Sequence, residues 1–287
     1  MQIWFITGCS SGLGKGIADA VLERGDCAVV TARRREDVMH FEEEWPETAM
    51  AAALDLSKPE TLEPAVRQAE KRFGHIDILV NNAGHGYRAA IEEGDPAQIK
   101  QLFTDDFYSP MELIRLVLPS MRGRRHGMII NVSSIGAVRG ALGNGWYSAA
   151  KGALELASES LALETAGFGI RVMLAEPGAM RTGFFGDRLP KSEKTISAYD
   201  SLASRYRPQA MPARHDQPGD PARCGRILVS TAMREDAPFR LLLGSDAAEA
   251  AKKTLQNRLE ELRRWKAASR QADYDKESSR LTIKSQS

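Results

Sequence analysis

Cysteine is scarce in this 287-residue chain, which has only Cys9, Cys27 and Cys224. Odd in number, far apart and without a C-x-x-C pair, they argue against a disulfide framework or a zinc site and suit a reducing cytosol. Excess charge is lacking too. Thirty-nine Lys and Arg face thirty-eight Asp and Glu, a formal net charge of +1, so nothing points to nucleic acid or an anionic membrane as the main partner. No apolar run approaches the roughly 18 residues of a membrane-spanning helix. The N-terminus, Met1 to Thr7, enters a strand-like run with neither the basic stretch nor the cleavage site of a signal peptide. Internal repeats and low-complexity tracts are also missing. With 43% hydrophobic and 27% charged residues, wholesale disorder is excluded and the length suffices to bury a full core. A cytoplasmic globular protein is expected.

Short β-rich runs alternate with helical stretches through the first two-thirds. Strands are expected at Ile3–Thr7, Ala28–Thr31, Ala51–Asp55, Ile76–Val80, Gly127–Val132 and Ile170–Ala175. Helices are expected from Gly14 to a C-cap at Gly25, over about Pro59–Arg72, over about Ile99–Met121 with a break or late start near Pro110, and over about Trp146–Ala166. This alternation predicts right-handed βαβ units, hence an α/β fold with a doubly wound parallel sheet, the Rossmann fold. We expect one dinucleotide-binding and catalytic domain over 1–248. Residues of about 183–223, rich in Gly, Pro, Arg and Asp, should form a substrate lid carrying Phe184, Phe185, Leu189 and Tyr199. A C-terminal helix and polar tail should occupy 249–287, with Leu255, Leu259, Leu262 and Trp265 on one stripe.

The first strand runs into Thr7-Gly8-Cys9-Ser10-Ser11-Gly12-Leu13-Gly14 and then a helix. Glycines there permit a sharp turn and close backbone approach, and a helix N-terminus offers free N–H groups to phosphate. At the end of the second strand an acidic residue would bond a ribose 2′-hydroxyl. This chain has Ala32 followed by Arg33, Arg34 and Arg35. A neutral site followed by fork-shaped cations favours a 2′-phosphate, so NADP(H) is preferred over NAD(H), carried mainly by Arg33 and joined by Arg34, with Arg35 in a solvated loop. Tyr147 and Lys151, four apart on a helix, share one face. No His, Asp and Cys grouping has metal-ligand spacing, and no metal is expected. His85, after Asn-Asn-Ala-Gly, reads as a loop residue near solvent in preference to an edge of the substrate cleft.

The T-G-x-x-x-G-x-G spacing, Asn81-Asn82-Ala83-Gly84, Ser133-Ser134, Tyr147-Ser-Ala-Ala-Lys151 and Pro177-Gly178 with Arg181-Thr182 occur in order over about residues 2–185. Together they resemble the short-chain dehydrogenase/reductase family, most closely bacterial members similar to 17β-hydroxysteroid dehydrogenases. The resemblance implies an oxidoreductase interconverting a ketone or aldehyde and an alcohol. Tyr147 would be acid/base and Lys151 its tuner and ribose ligand. Ser134 would orient the substrate, chosen over Ser133 by the family's thirteen-residue spacing to the tyrosine. It further implies that Gly8, Ser10, Ser11, Gly12 and Leu13 bind the cofactor, that Asp55 and Leu56 meet adenine, and that Asn82, Ala83 and Gly84 line the ribose. Pro177 and Gly178 would also bind the cofactor, and Thr182 would reach the nicotinamide carboxamide. Homodimers or homotetramers are implied, with a small-molecule carbonyl or alcohol as substrate. One position departs: Asp106 stands where the family usually has asparagine, and its charge could pair with Lys151. A non-catalytic NADP-binding regulatory protein on the same fold is the alternative that this departure keeps open. An epimerase or dehydratase is disfavoured by the glycine spacing.

Overall fold

Strands buried on both faces read as continuous apolar runs, and that is how the sheet is built. The computed structural model describes residues 1–185, 189–190, 192–203 and 216–274. In chain order they form β1 (Ile3–Ile6), α1 (Gly12–Glu23), β2 (Cys27–Ala32), α2 (Met39–Glu44), β3 (Ala49–Ala53), α3 (Leu62–Phe73) and β4 (Ile78–Asn81). Then come α4 (Pro96–Phe103), α5 (Ser109–Arg124), β5 (Gly127–Val132), α6 (Ile135–Val138), α7 (Gly145–Thr165) and β6 (Ile170–Pro177). The last elements are α8 (Asp200–Ala203), α9 (Pro221–Ala232), β7 (Arg240–Leu243) and α10 (Ser245–Arg270). All seven strands are parallel in the order β3-β2-β1-β4-β5-β6-β7. The order reverses between β1 and β4, and in an open α/β sheet ligands bind at the carboxyl ends of the strands beside such a reversal.

One face is covered by α1 and α9, which pack Ile17, Val21, Leu228 and Val229 on Trp4, Ile6, Val30 and Ile130. The other carries α3, α5 and α7, with Leu62, Leu113, Val117 and Leu161 on Phe5, Val29, Leu79 and Ile129. A smaller cluster, Tyr87, Ala89, Leu102, Tyr147 and Ala150, sits at the carboxyl end of the sheet.

Several expectations need correction. The break foreseen near Pro110 in the helix over 99–121 is a π-helical turn at Thr104–Tyr108, and Pro110 itself lies in the first turn of α5, where its missing N–H costs little. The lid does not reach 223, because Asp220 caps α9 and Pro221 opens it. Strand β7 and helix α9 had not been anticipated. The C-terminal helix starts at Ser245, not 249. Ala247 and Ala251 bury against the domain, whereas Leu255, Leu259, Leu262 and Trp265 stay about half exposed. Residues 186–188, 191 and 204–215 of the expected lid, and the tail from 275, lie outside the described residues. Among the described residues, no helix is long and apolar enough to cross a membrane.

Candidate active site

The carboxyl ends of the strands enclose a cavity of about 1000 Å³. The glycine loop forms one end. Gly8 holds φ +75°, a conformation favouring glycine, and a Cβ on Gly14 would stand 2.1 Å from the Gly8 carbonyl oxygen. Thr7 and Asn82 tie this loop to the end of β4. The Thr7 hydroxyl accepts the backbone N–H groups of Asn82 and Ala83 at 2.9 Å each, and the Asn82 amide donates to the Thr7 carbonyl at 2.8 Å. Ser11, in extended backbone before α1, makes no side-chain cap, so the first N–H groups of that helix keep their donors for the cavity.

Gly8, Ser10, Ser11, Gly12, Leu13, Arg33, Asp55, Leu56, Asn82, Ala83, Gly84, Pro177, Gly178 and Thr182 all line this one cavity, as do Ser134, Tyr147 and Lys151. Arg34 does not. Its guanidinium turns outward to Asp37, at 2.5 Å, and Arg35 is tied to Glu42 and the Ala51 carbonyl. Arg33 donates no hydrogen bond and makes no ion pair among the described residues, which leaves it the member of the triplet facing the cavity. Asp55 is held by the Ser57 N–H and hydroxyl, at 3.1 and 2.7 Å.

At the other end α7 presents Tyr147 and Lys151, 6% and 4% exposed. Ser134 caps α6, its Oγ accepting the Gly136 N–H at 3.0 Å, and its hydroxyl lies on the Tyr147 side of the same cavity. Ser133 points elsewhere, donating to Glu155 at 2.6 Å. The Lys151 ammonium lies 5.9 Å from the Tyr147 ring centre and donates to the Val132 carbonyl at 3.1 Å. Asp106, fully buried on the π-helical turn, sets Oδ2 3.4 Å from that ammonium. Burial pushes the Tyr147 phenol above its ordinary range. Lys151 pulls it down, Asp106 pushes it up again, and Ser134 and Arg88 pull down. In the protein without cofactor, the pull of Lys151 does not offset the burial of this phenol. Burial also pushes the Asp106 carboxyl up, against Lys151 and His85.

Besides Arg34, sequence reasoning misplaced two residues and missed three. His85 does not stand in solvent. It lines the cavity with Nε2 3.1 Å from Asp105, whose other oxygen accepts the Gln101 amide at 2.7 Å. Tyr199, expected in the lid wall, instead bonds Glu92 at 3.0 Å, away from the cavity. Phe184 and Leu189 do line it, Phe184 meeting the Tyr147 ring edge-on at 5.7 Å. The Phe185 side chain lies outside the described residues. Gln101, Asp105 and the partly buried Arg88, whose guanidinium donates to Asn144 at 2.7 Å, carried no local signal. They come from segments whose contacts only the fold decides.

Known proteins agree with this architecture. Residues 2–193 match the family described as short chain dehydrogenase. The chain is 33% identical over 265 residues to oxidoreductase BOA17 of Botryotinia fuckeliana, covering 89% of this chain and 93% of that one. It is 34% identical over 244 residues to a 3-ketodihydrosphingosine reductase of Bacteroides thetaiotaomicron, covering 85% and 88%. A short-chain dehydrogenase from Streptomyces avermitilis superposes with a TM-score of 0.86 at 37% identity, covering 95% of this chain and all of that one. A metagenomic short-chain oxidoreductase solved with NADP gives 0.59 at 31% identity, over 63% and 83%.

Proposed function

Since the chain belongs to the short-chain dehydrogenase family, and is an oxidoreductase of it, we propose that it interconverts a ketone or aldehyde and the corresponding alcohol with NADP(H). The observation that carries this reading is one cavity with two ends. The glycine loop, the uncapped start of α1 and Arg33 lie at one, and Ser134, Tyr147 and Lys151 at the other. The residues fit a dinucleotide. Gly14 leaves the backbone room to approach a pyrophosphate, and the first N–H groups of α1 offer it donors. Arg33 supplies a fork for a 2′-phosphate. A nicotinamide dinucleotide held there supplies or accepts the hydride. Tyr147 gives its proton to the substrate oxygen in reduction and takes it back in oxidation, and Ser134 orients that oxygen.

Phe184, Leu189 and Pro190 make an apolar wall beside Tyr147, and Gln98, Gln101, His85 and Asp105 make a polar rim. A hydrophobic carbonyl compound with a polar substituent suits this pair of surfaces, and the relative named for 3-ketodihydrosphingosine supports a ketone. Following the absorbance of reduced nicotinamide with a panel of hydrophobic ketones tests the reading. The expected result is faster consumption of NADPH than NADH. Binding of NADPH with no carbonyl turned over would favour a regulatory protein, the reading that the Asp106–Lys151 pair supports.

The cofactor preference has its own test. Arg33→Ala should weaken NADPH binding about 10- to 100-fold, the worth of one or two charge-assisted hydrogen bonds, and leave NADH nearly unchanged. Arg34→Ala should change neither by more than about twofold, because its partner is Asp37. Equal losses for both cofactors in Arg33→Ala would refute the assignment.

A further inference from the structure

The turn between α4 and α5 is π-helical, and the extra residue in it rotates Asp106 inward until nothing of it is exposed. Its two oxygens have different tasks. Oδ1 accepts the His85 backbone N–H at 3.0 Å, which fixes the carboxylate plane, and Oδ2 faces the Lys151 ammonium at 3.4 Å. Gly84 makes room for the pair, since a Cβ there would lie 2.8 Å from Asp106 Oδ1 and 3.3 Å from Lys151 Nζ. Such a buried pair costs desolvation on both partners. An amide could accept the same N–H at Oδ1 with no such cost, so the N–H bond does not explain the charge.

The charge acts on the neighbouring phenol. The groups facing Tyr147 are Lys151 from α7, Ser134 from the end of β5, Arg88 from the loop after β4, and Asp106 from the π-helical turn. Facing Asp106 are Lys151, Tyr147 and His85, whose imidazole is itself paired with Asp105. Of the groups facing Tyr147, Asp106 is the one whose anion opposes the phenolate, and it acts both directly and by engaging the ammonium that would favour it. We propose that Asp106 is a charge-positioning residue. By holding Lys151 in a buried ion pair it keeps the proton on Tyr147, so that the site stands loaded with the acid from which carbonyl reduction starts. The reductive reaction is that of the reading above, on which this rests. The charge relation itself belongs to the protein without cofactor.

Two variants and two readouts test it. Asp106→Asn keeps volume and the acceptor for His85 and removes the charge. Asp106→Ala removes the charge and leaves a gap. In each, the ionisation of Tyr147 is followed by phenolate absorbance in the cofactor-free protein, as the difference from the same protein carrying Tyr147→Phe. The expected result is a midpoint lower than in wild type by roughly one to two pH units in both variants, the range for a like charge placed or removed at such distances. In the loaded enzyme, the pH at which reductive turnover falls off should move down by a similar amount. An unmoved midpoint in Asp106→Asn, or a shift only in Asp106→Ala, overturns the proposal, since a structural role would be kept by asparagine. A shifted midpoint with no tyrosine-dependent turnover upholds the charge relation and sinks the oxidoreductase reading instead.

Discussion

Tyr147→Phe is expected to lower turnover of any carbonyl substrate by about a thousandfold, within the range for removal of a general acid, while NADPH affinity changes by no more than a few-fold. The loss corresponds to about 4 kcal/mol of transition-state stabilisation. The substitution suits the site because it deletes one oxygen and little else. The ring is buried among Tyr87, Ala89, Leu102 and Ala150 and meets Phe184 edge-on, contacts that phenylalanine keeps. Ser134 beside it retains its bond from the Gly136 N–H and is not left bare. Stability should therefore hold, and a thermal melt alongside the rate checks it. Ser134→Ala should cost less, about ten- to a hundredfold, since it orients the substrate oxygen without transferring the proton. A Tyr147→Phe enzyme within tenfold of wild type would remove the phenol from the chemistry. Water or His85, which lines the same cavity, would then be the donor to examine.

The positions gathered round this cavity were legible because each is written in a short stretch. The glycine spacing must follow a strand and precede a helix, and Tyr147 and Lys151 are one helical turn apart. The doubly wound sheet was legible for the same reason, strand and helix periods alternating at close intervals. What was not legible depends on distant contacts. Strand β7 is four residues long and only partly buried, and its apolar run, Leu241 to Leu243, is too short to announce a strand. Helix α9 is recognisable once its glycine is seen against α1. A Cβ on Gly225 would stand 2.3 Å from Gly16 backbone, a contact 209 residues away in sequence. His85 was misjudged because a loop histidine is usually solvated, and its partner Asp105 arrives from the π-helical turn. Arg34 was misjudged because an arginine beside a cavity and one turned away from it look alike in sequence. Only the position of Asp37 separates them.

The largest effect on stability should come from a residue that no motif marks. Arg240 on β7 donates at 2.6 Å to Glu155 of α7 and at 2.6 Å to Glu176 of β6, and also reaches Glu159. Glu155 in turn accepts the Ser133 hydroxyl at the end of β5. One guanidinium thus joins three neighbouring strand ends to the helix that carries Tyr147 and Lys151. Glu155 and Glu176 have side chains only 8% and 3% exposed, whereas Arg240 is 36% exposed. Arg240→Met leaves two buried carboxylates facing each other without a counter-charge. Breaking a buried pair from one side costs about 3–5 kcal/mol, and water reaching the partly open arginine site argues for the lower end, a fall in Tm of roughly 6–10 °C. The pH dependence separates lost charge from lost packing. Burial already pushes the Glu176 carboxyl up, with Arg240 pulling against it. Without the arginine the Glu176 carboxyl rises further above its unfolded value. A carboxyl raised in the folded state favours folding while protonated and loses that contribution as pH rises. The melting deficit of Arg240→Met should therefore be smaller at pH 5 than at pH 8 and should shrink again when Glu176→Gln is added. A deficit independent of pH, and unrelieved by Glu176→Gln, would mean that Arg240 holds the strand ends by packing alone.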